Sequence, residues 1–516
     1  MAHWLNLADS LEVNVGKYPD KTALLDAKRS FTWTELDQRV NRLANALLGM
    51  GLSKGDRVAI LLENCIEIVE LFYATARTGI VAVPINFRCV ADEVGYIADN
   101  CEAKAFFVHD IFTQNVEPVK ECLERIPEEN YVLVGSGEGY RGYEELLQSA
   151  SPESPGVKVE PADTWIMLYT SGTTGTPKGV VRSHESYTAF YLINAIDFAF
   201  SENDVCMNIM PLCHVNSTFF TLAVMYVGGA VYVHPASGFD AAAVLRIIDR
   251  EGITFISFVP THYRMLLAVP EQERTGLSYR RLKKLLCSSA PATVSMKEAV
   301  GKFFDGVDLY EGYGSTEAGI VTVLKPHEQF TKPGSIGRES TGTSLVKILD
   351  ENKQPLPDGE VGELYSRGPM LLTEYYKMPE KTASSFAGEW FTAGDMAYRD
   401  EDGYFHLVDR KDNMIITGGE KVFPSEVEAL LCNHPAVFDA AIVGIPDEKW
   451  GELVTAIVIL KEGASATEQE IVEFCRGKVS SYKRPKKAVF LSPEEMPRTA
   501  TGKILHRQLR IRFGRI

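Results

Sequence analysis

"RVAILLENCIEIVELFYATARTGIVAVPI", residues 57–85, decides the fold class. "RVAILL" (57–62) is a continuous apolar run of strand length, the pattern of a strand buried on both faces. A helical pattern over 66–77 stops at Gly79, and "IVAVPI" (80–85) is the next strand. Strand, helix, strand in that order is a βαβ unit, so the chain is expected to form a parallel sheet with helices on its faces.

Upstream of this unit, Leu36, Val40, Leu43, Leu47 and Leu48 mark one face of a helix ended by Gly49 and Gly51. Thr34 and Asp37 have the spacing of a capping box at its start. Downstream, similar alternation continues to about residue 325, and 219–233 reads as a buried helix followed by a strand. From 326 to 400 the character changes: "KPGSIG", "PLPDGEVGELYSRGP" and "DEDGY" set turn residues between short strands. After Arg410 two strands, "AAIVGI" (440–445) and "VTAIVIL" (454–460), alternate with helices opened by capping-box pairs Ser425/Glu428 and Thr467/Glu470. The expected architecture is α/β: a large N-terminal domain of stacked α/β sheets (1–409) with a β-rich subdomain at about 326–400, then a hinge at 410–412. A smaller, mobile α+β C-terminal domain (413–516) follows.

The totals suit this organisation. A chain of 516 residues exceeds one hydrophobic core, and 45% hydrophobic with 24% charged residues is ordinary for a globular enzyme. A net charge of −16 argues against a broad nucleic-acid or anionic-membrane surface. Nine dispersed cysteines without metal-ligand spacing read as reduced core residues of a cytoplasmic protein. No stretch has the length and apolarity of a membrane span, and no secretory signal pattern opens the chain.

Four constellations carry candidate chemistry. "YTSGTTGTPKGVV" (169–181) concentrates glycines, hydroxyls and Lys178 after an apolar strand. Glycine lets backbone N–H groups close on phosphate oxygens, hydroxyls add donors and the lysine adds charge, so a phosphate cradle is expected here in preference to a flexible Ser/Thr/Gly linker. It is not a Walker A loop, because Gly179 follows the lysine where Ser or Thr would be needed. "YEGYGSTEAG" (310–319) offers an aromatic face at Tyr313, open backbone at Gly314, and the hard oxygen ligands Thr316 and Glu317 that suit Mg²⁺ on a nucleotide. Asp395, after Gly394, has the chemistry to accept two ribose hydroxyls, and Arg410 to donate to ribose or phosphate. Singly, these two also fit a turn aspartate and a surface arginine. Lys503, behind Gly502 in "PRTATGKILHRQLR" (497–510), by itself equally fits a solvated lysine.

Together with "FTWTELDQRVNRLANAL", these motifs give the chain its likeness: in order and spacing it resembles the adenylate-forming superfamily of acyl-CoA synthetases, non-ribosomal peptide adenylation domains and beetle luciferases, most of all an acyl-CoA ligase. The resemblance implies a carboxylic acid activated by ATP to acyl-AMP and pyrophosphate, then passed to CoA, with Mg²⁺ as cofactor. It assigns the β- and γ-phosphates to Thr170, Ser171, Gly172, Thr173, Thr174, Gly175, Thr176 and Lys178, the adenine to Ser289, Ala290, Pro291 and Tyr313, and a nucleotide contact to Gly314. Thr316 and Glu317 fall to phosphate and metal, and Asp395 and Arg410 to further nucleotide contacts. Lys503 matches the lysine that bridges carboxylate and α-phosphate, and Asp412 the hinge. Gly418, Gly419 and Glu420 match the face brought up for CoA after domain alternation, and basic "YKRPKK" (482–487) fits CoA phosphates or a solvated charge run equally well.

His214, in "MPLCHVNSTFF" (210–220), aligns with a residue near the acyl carboxylate in relatives. Val215 stands where amino-acid-activating relatives have an Asp, which would leave a substrate ammonium unpaired. Val215, Thr218, Phe219, Phe258, Thr261 and Cys287 are the expected pocket lining, suiting a fatty, alicyclic or aromatic acid. A carnitine-like acid, a homo-oligomeric state and delivery to a carrier protein instead of CoA stay open.

Overall fold

The computed structural model describes residues 6–170, 176–236, 238–289, 292–343, 345–498 and 504–514. The chain forms two compact units, residues 1–346 with 366–391, and 347–365 with 392–516. The α/β expectation holds in both.

The first unit contains an eight-stranded and a nine-stranded sheet. In the first sheet Arg57–Leu61 lies between Val81–Pro84 and Ala103–His109, parallel to both, as the βαβ pattern requires. Val58 and Ile60 face one hydrophobic cluster and Ala59 and Leu61 another, so the strand is buried on both faces and has no reason to alternate in polarity. All thirteen residues of the intervening helix, Ile66–Thr78, are buried, and Gly79 ends it in the left-handed conformation at φ +67°. That total burial follows from its neighbours: one continuous core contains side chains of both sheets and of the helices between them. The helix Val215–Tyr226 and strand Ala230–Val233 answer the 219–233 expectation.

The second unit has its own sheet. Val437–Asp447 and Gly451–Leu460 form a long antiparallel hairpin, flanked by Ile415–Thr417 and by Lys487–Phe490. Ala440 and Ile442 pack under helices on one face while Ala441 and Val443 pack with Leu509 on the other. Asp395–Arg399 and Phe405–Arg410 form a second antiparallel pair in this unit.

Two helix starts differ from expectation. The early helix is Trp33–Gly49, capped by Thr32 with Glu35 reaching back, two residues before the Thr34/Asp37 pair. Thr34 does not cap because its hydroxyl donates to the Pro19 carbonyl at 3.0 Å. Ser425 and Glu428 do not form a capping box either. The helix Pro424–Leu431 begins at its proline, the Ser425 N–H donates 2.8 Å to Asp409 Oδ2, and Glu428 accepts from the Ile442 N–H at 2.7 Å. The Thr467/Glu470 box forms as expected on Glu468–Phe474. Among the described residues no helix is long and apolar enough to cross a membrane, and all nine cysteines are free thiols. Burial pushes the Cys213 thiol up to about 12, as expected of a core residue.

Candidate active site

The phosphate-cradle segment joins two antiparallel strands of the eight-stranded sheet, Thr164–Thr170 and Lys178–Ser183, with Thr170 opposite Lys178. Residues Ser171, Gly172, Thr173, Thr174 and Gly175 lie outside the described residues; Thr176 is exposed. The Thr170 hydroxyl oxygen is buried and has no hydrogen-bond partner among the described residues.

At the mouth of this hairpin three side chains meet. Lys178 Nζ lies 3.3 Å from Glu317 Oε1 and 4.1 Å from the centre of the Tyr375 ring. Tyr375 Oη donates to the same Glu317 oxygen at 2.9 Å. Tyr375 arrives on a two-residue strand, Glu374–Tyr375, paired with Lys178–Ser183 at the sheet's edge. Nothing in the residues around it singles this tyrosine out in the sequence; its role appears only once strand pairing brings it beside Lys178.

The Glu317 turn is clamped from several sides. The Leu372 N–H donates to the Glu317 carbonyl at 2.6 Å, and Arg182 Nη1 donates to the Thr316 carbonyl at 2.7 Å. Arg182 is fully buried, and desolvation lowers its pKa; the Tyr187 and Phe219 rings lie 4.9 and 5.4 Å from its guanidinium carbon. Gly314 is required by space: a Cβ there would sit inside van der Waals contact of the Gly319 carbonyl. Tyr313 precedes it at an irregularity in the strand pairing.

Ser289 is exposed at φ +66°, a left-handed conformation, while Ala290 and Pro291 lie outside the described residues. Beyond this segment the helix Val294–Phe303 carries Lys297, which pairs in the interior with Glu311. Burial raises the Glu311 carboxyl pKa and Lys297 opposes that rise.

In the second unit Asp395 and Arg410 face each other across paired strands, and Arg410 Nη1 lies 3.2 Å from Asp395 Oδ1. The preceding turn is held by the Gly394 N–H to Thr392 Oγ1 at 2.9 Å and by Thr392 Oγ1 to Glu363 Oε1 at 3.0 Å. Asp412 lies in the single turn Lys411–Asn413, where Arg510 donates to the Asp412 and Asn413 carbonyls at 2.9 and 2.6 Å. Gly418 and Gly419 form the two-residue turn of a hairpin, at φ +59° and +88°, with Glu420 exposed beyond them. Two consecutive positive φ values match the turn that suits strand twist and favours glycine. Lys503 lies outside the described residues, but its neighbours are fixed: Arg498 pairs with Ile504, and His506 Nε2 lies 2.6 Å from Glu428 Oε1. In the basic run, Lys483 is paired with Glu426 at 2.6 Å.

His214 caps the helix Val215–Tyr226 in the first unit. Its Nε2 is buried without a hydrogen-bond partner among the described residues, and burial, with the Arg88 charge, lowers its pKa to about 4, so the ring is neutral near pH 7. The residues expected to line the acid pocket sit in differing surroundings, with Thr218 fully buried. Phe219 stacks on Phe190 at 3.6 Å between centroids, Phe258 and Cys287 belong to another core cluster, and Thr261 is exposed. Phe219 and Phe258 are occupied by core neighbours, because the helix and strand that carry them are buried on more than one side.

A family model described as "AMP-binding enzyme" matches residues 11–376, and its companion, "AMP-binding enzyme C-terminal domain", matches 426–503. The chain belongs to the AMP-binding enzyme family. Among curated AMP-binding relatives, a feruloyl-CoA synthase of Amycolatopsis sp is 34% identical over 501 residues, covering 96% of each chain. A long-chain-fatty-acid–CoA ligase, FadD13 of Mycobacterium tuberculosis, is 34% identical over 488 residues, covering 94% of this chain and 93% of its own. Among solved structures, the anthranilate CoA ligase AuaEII in complex with anthranoyl-AMP superposes with a TM-score of 0.88 at 29% identity, over 99% of this chain and 97% of that one.

Proposed function

We propose that this AMP-binding enzyme activates a carboxylic acid with ATP and transfers the acyl group to CoA. The observation that carries the reading is the Lys178–Glu317–Tyr375 contact, an ammonium and a carboxylate held together at the mouth of a hydroxyl- and glycine-rich hairpin. In the first half-reaction a carboxylate oxygen attacks the α-phosphorus, the bond from that phosphorus to the bridging oxygen breaks, and pyrophosphate leaves. In the second, the CoA thiol loses its proton, its sulfur attacks the acyl carbon, and AMP leaves with the electrons of the acyl C–O bond.

Phosphoryl transfer depends mainly on positioning and charge stabilisation. Lys178, Thr170, Thr176 and residues 171–175 are assigned to the β- and γ-phosphates, and Thr316 to the phosphates beside them. Ser289, Ala290, Pro291 and Tyr313 are assigned to adenine, Gly314 to the nucleotide beside them, and Asp395 and Arg410 to ribose and phosphate. The Arg410–Asp395 ion pair supports that last assignment, since it orients a carboxylate already largely buried. His214, neutral through burial, is assigned to the acyl carboxylate, and a neutral ring can donate one N–H to it.

Among the described residues there is no cluster of three or more His, Cys, Asp or Glu able to hold a metal. A single carboxylate, Glu317, fits Mg²⁺, which typically uses one or two carboxylates plus the substrate's phosphates. Bound there, Mg²⁺ would neutralise charge on the nucleotide oxygens.

Lys503 is assigned to the adenylation step, and Gly418, Gly419 and Glu420 to the CoA step, with residues 413–516 turning about 410–412 between them. A pyrophosphate-leaving step and a thiol attack make different demands on one wall of the site, which supports alternation. The likeness to a feruloyl-CoA synthase and a fatty-acid ligase supports an aromatic or fatty acid.

The test is a panel of aromatic and fatty acids with ATP and Mg²⁺, first without CoA and then with it. Pyrophosphate and acyl-AMP are expected before CoA is added, and AMP with acyl-CoA after. Failure of every acid to yield a mixed anhydride would refute the reading. Acyl-AMP that persists with CoA but discharges onto a carrier protein would redirect it to that acceptor.

A further inference from the structure

The strand Lys178–Ser183 presents two cations on one face. Lys178 and Arg182 are four residues apart with an unbroken register between them, so their side chains leave the same side of the sheet about 13 Å apart. Val181, between them in alternation, packs into a cluster on the opposite side. Both cations reach the same turn: Lys178 meets the Glu317 carboxylate, and Arg182 Nη1 donates to the Thr316 carbonyl.

Arg182 is the costlier of the two to keep. It is fully buried, its Nε donates to Ser186 Oγ at 3.2 Å, and its Nη2 is buried with no hydrogen-bond partner among the described residues. The carboxylate whose charge acts on it is that of Glu317. A buried charge with an unsatisfied donor is expensive, and an apolar side chain of similar volume often packs as well or better. Stability alone therefore gives no reason for an arginine here.

The Thr316–Glu317 pair is gripped at four points. Arg182 holds the Thr316 carbonyl, the Leu372 N–H holds the Glu317 carbonyl, and Tyr375 and Lys178 hold the carboxylate. When the nucleotide binds, its phosphates compete for Lys178 and Mg²⁺ competes for Glu317, so the Lys178–Glu317 contact is exchanged for contacts to the ligand. The grips on the two carbonyls use no group that the ligand takes. Of these two, the one from a guanidinium is charge-assisted and the stronger.

We propose that Arg182 is a positioning residue for adenylation: its grip on the Thr316 carbonyl keeps the Thr316 hydroxyl and the Glu317 carboxylate in place once Lys178 has turned to the phosphates. The proposal rests on the acid–CoA ligase reading.

Arg182→Met keeps length and apolar contact while removing the charge and every donor. One measurement needs no turnover: the rise in melting temperature on adding ATP without acid, with and without Mg²⁺. The other compares pyrophosphate release with thioester formation from supplied acyl-AMP. The Mg²⁺-dependent part of the rise is expected to shrink, and the Mg²⁺ concentration for half-maximal adenylation to increase about tenfold. The kcat of adenylation should fall about tenfold to a hundredfold with the KM for the acid little changed, and thioester formation should fall less. Arg182→Lys, which restores the charge and a donor, should recover part of the loss. Unaltered Mg²⁺ dependence in both measurements overturns the proposal, and so do equal losses in the two half-reactions, the pattern of an arginine that only supports the core. Should Arg182→Met not fold, Arg182→Gln is judged by the same outcomes. A wild-type protein that gains stability from ATP with Mg²⁺ yet forms no mixed anhydride with any acid refutes the ligase reading, and the melting-temperature comparison still decides whether Arg182 positions the Glu317 turn.

Discussion

Tyr375 Oη donates to Glu317 Oε1 at 2.9 Å while the same ring lies beneath the Lys178 ammonium, 4.1 Å from its centre. One side chain thereby orients a carboxylate and a cation. Tyr375→Phe keeps the ring under the lysine and deletes only the donor. The expected outcome is an adenylation rate lowered about tenfold, the equivalent of one hydrogen bond to a charged group, and a higher Mg²⁺ concentration for half-maximal rate. Thioester formation from supplied acyl-AMP should change little. A variant with unaltered Mg²⁺ dependence would reduce the tyrosine to packing.

Two glycines of the same strand should answer differently to alanine. At Gly314 the new Cβ meets the Gly319 backbone carbonyl, whereas at Gly312 it meets the end of the Ile320 side chain at 3.0 Å. Backbone cannot yield as a side-chain terminus does, so Gly314→Ala should cost about 2–4 kcal/mol and Gly312→Ala about 1 kcal/mol or less. Denaturant unfolding of both variants checks the order; equal losses would contradict it.

The two half-reactions should be separable by mutation. Lys503→Ala is expected to lose adenylation by orders of magnitude and still convert supplied acyl-AMP to thioester. Gly419→Leu should do the reverse, and because Gly419 sits at φ +88°, Gly419→Asn is the control that tolerates the turn. Isolated assays of each half-reaction decide this; parallel loss of both steps in Lys503→Ala would remove that residue from its assigned role.

His506 supplies a pH signature. Burial alone would lower its pKa, but the hydrogen bond and charge of Glu428, with Asp409 nearby, raise it above the usual histidine value. A raised folded-state pKa adds stability that is complete below the unfolded value of about 6.5 and is lost as pH rises through the folded value. His506→Gln should therefore cost about 1–3 kcal/mol at acidic pH and less at alkaline pH. Unfolding curves at both ends of that range test it, and a pH-independent difference would argue against the charged pair.

Much of this molecule is legible in its sequence, for identifiable reasons. The βαβ reading of 57–85 succeeds because Arg57–Leu61 is buried on both faces and Gly79 punctuates the helix. The strands on either side of the glycine- and hydroxyl-rich stretch pair as neighbours in sequence do, and Asp395 and Arg410 stand near enough in sequence for a hairpin to pair them. Tyr375 escapes notice because its partner Lys178 is almost two hundred residues earlier, and only strand pairing joins them. The packing of Phe219 and Phe258 is hidden for a different reason: an aromatic residue looks the same in sequence whether it faces a ligand or the core. Helix starts shift where another partner claims the expected cap: the Pro19 carbonyl takes the Thr34 hydroxyl and the box forms at Thr32/Glu35 instead, and the Asp409 carboxylate takes the Ser425 N–H.

The two-residue strand Glu374–Tyr375 also covers the outer rim of the eight-stranded sheet, where Lys178–Ser183 would otherwise present unpaired backbone groups. The hydrogen bond to Glu317 and the covering of an open sheet edge thus share one short piece of chain. Damage to that piece would surface first as sticky, poorly behaved protein, and an experimenter could mistake a lost carboxylate anchor for a simple solubility defect.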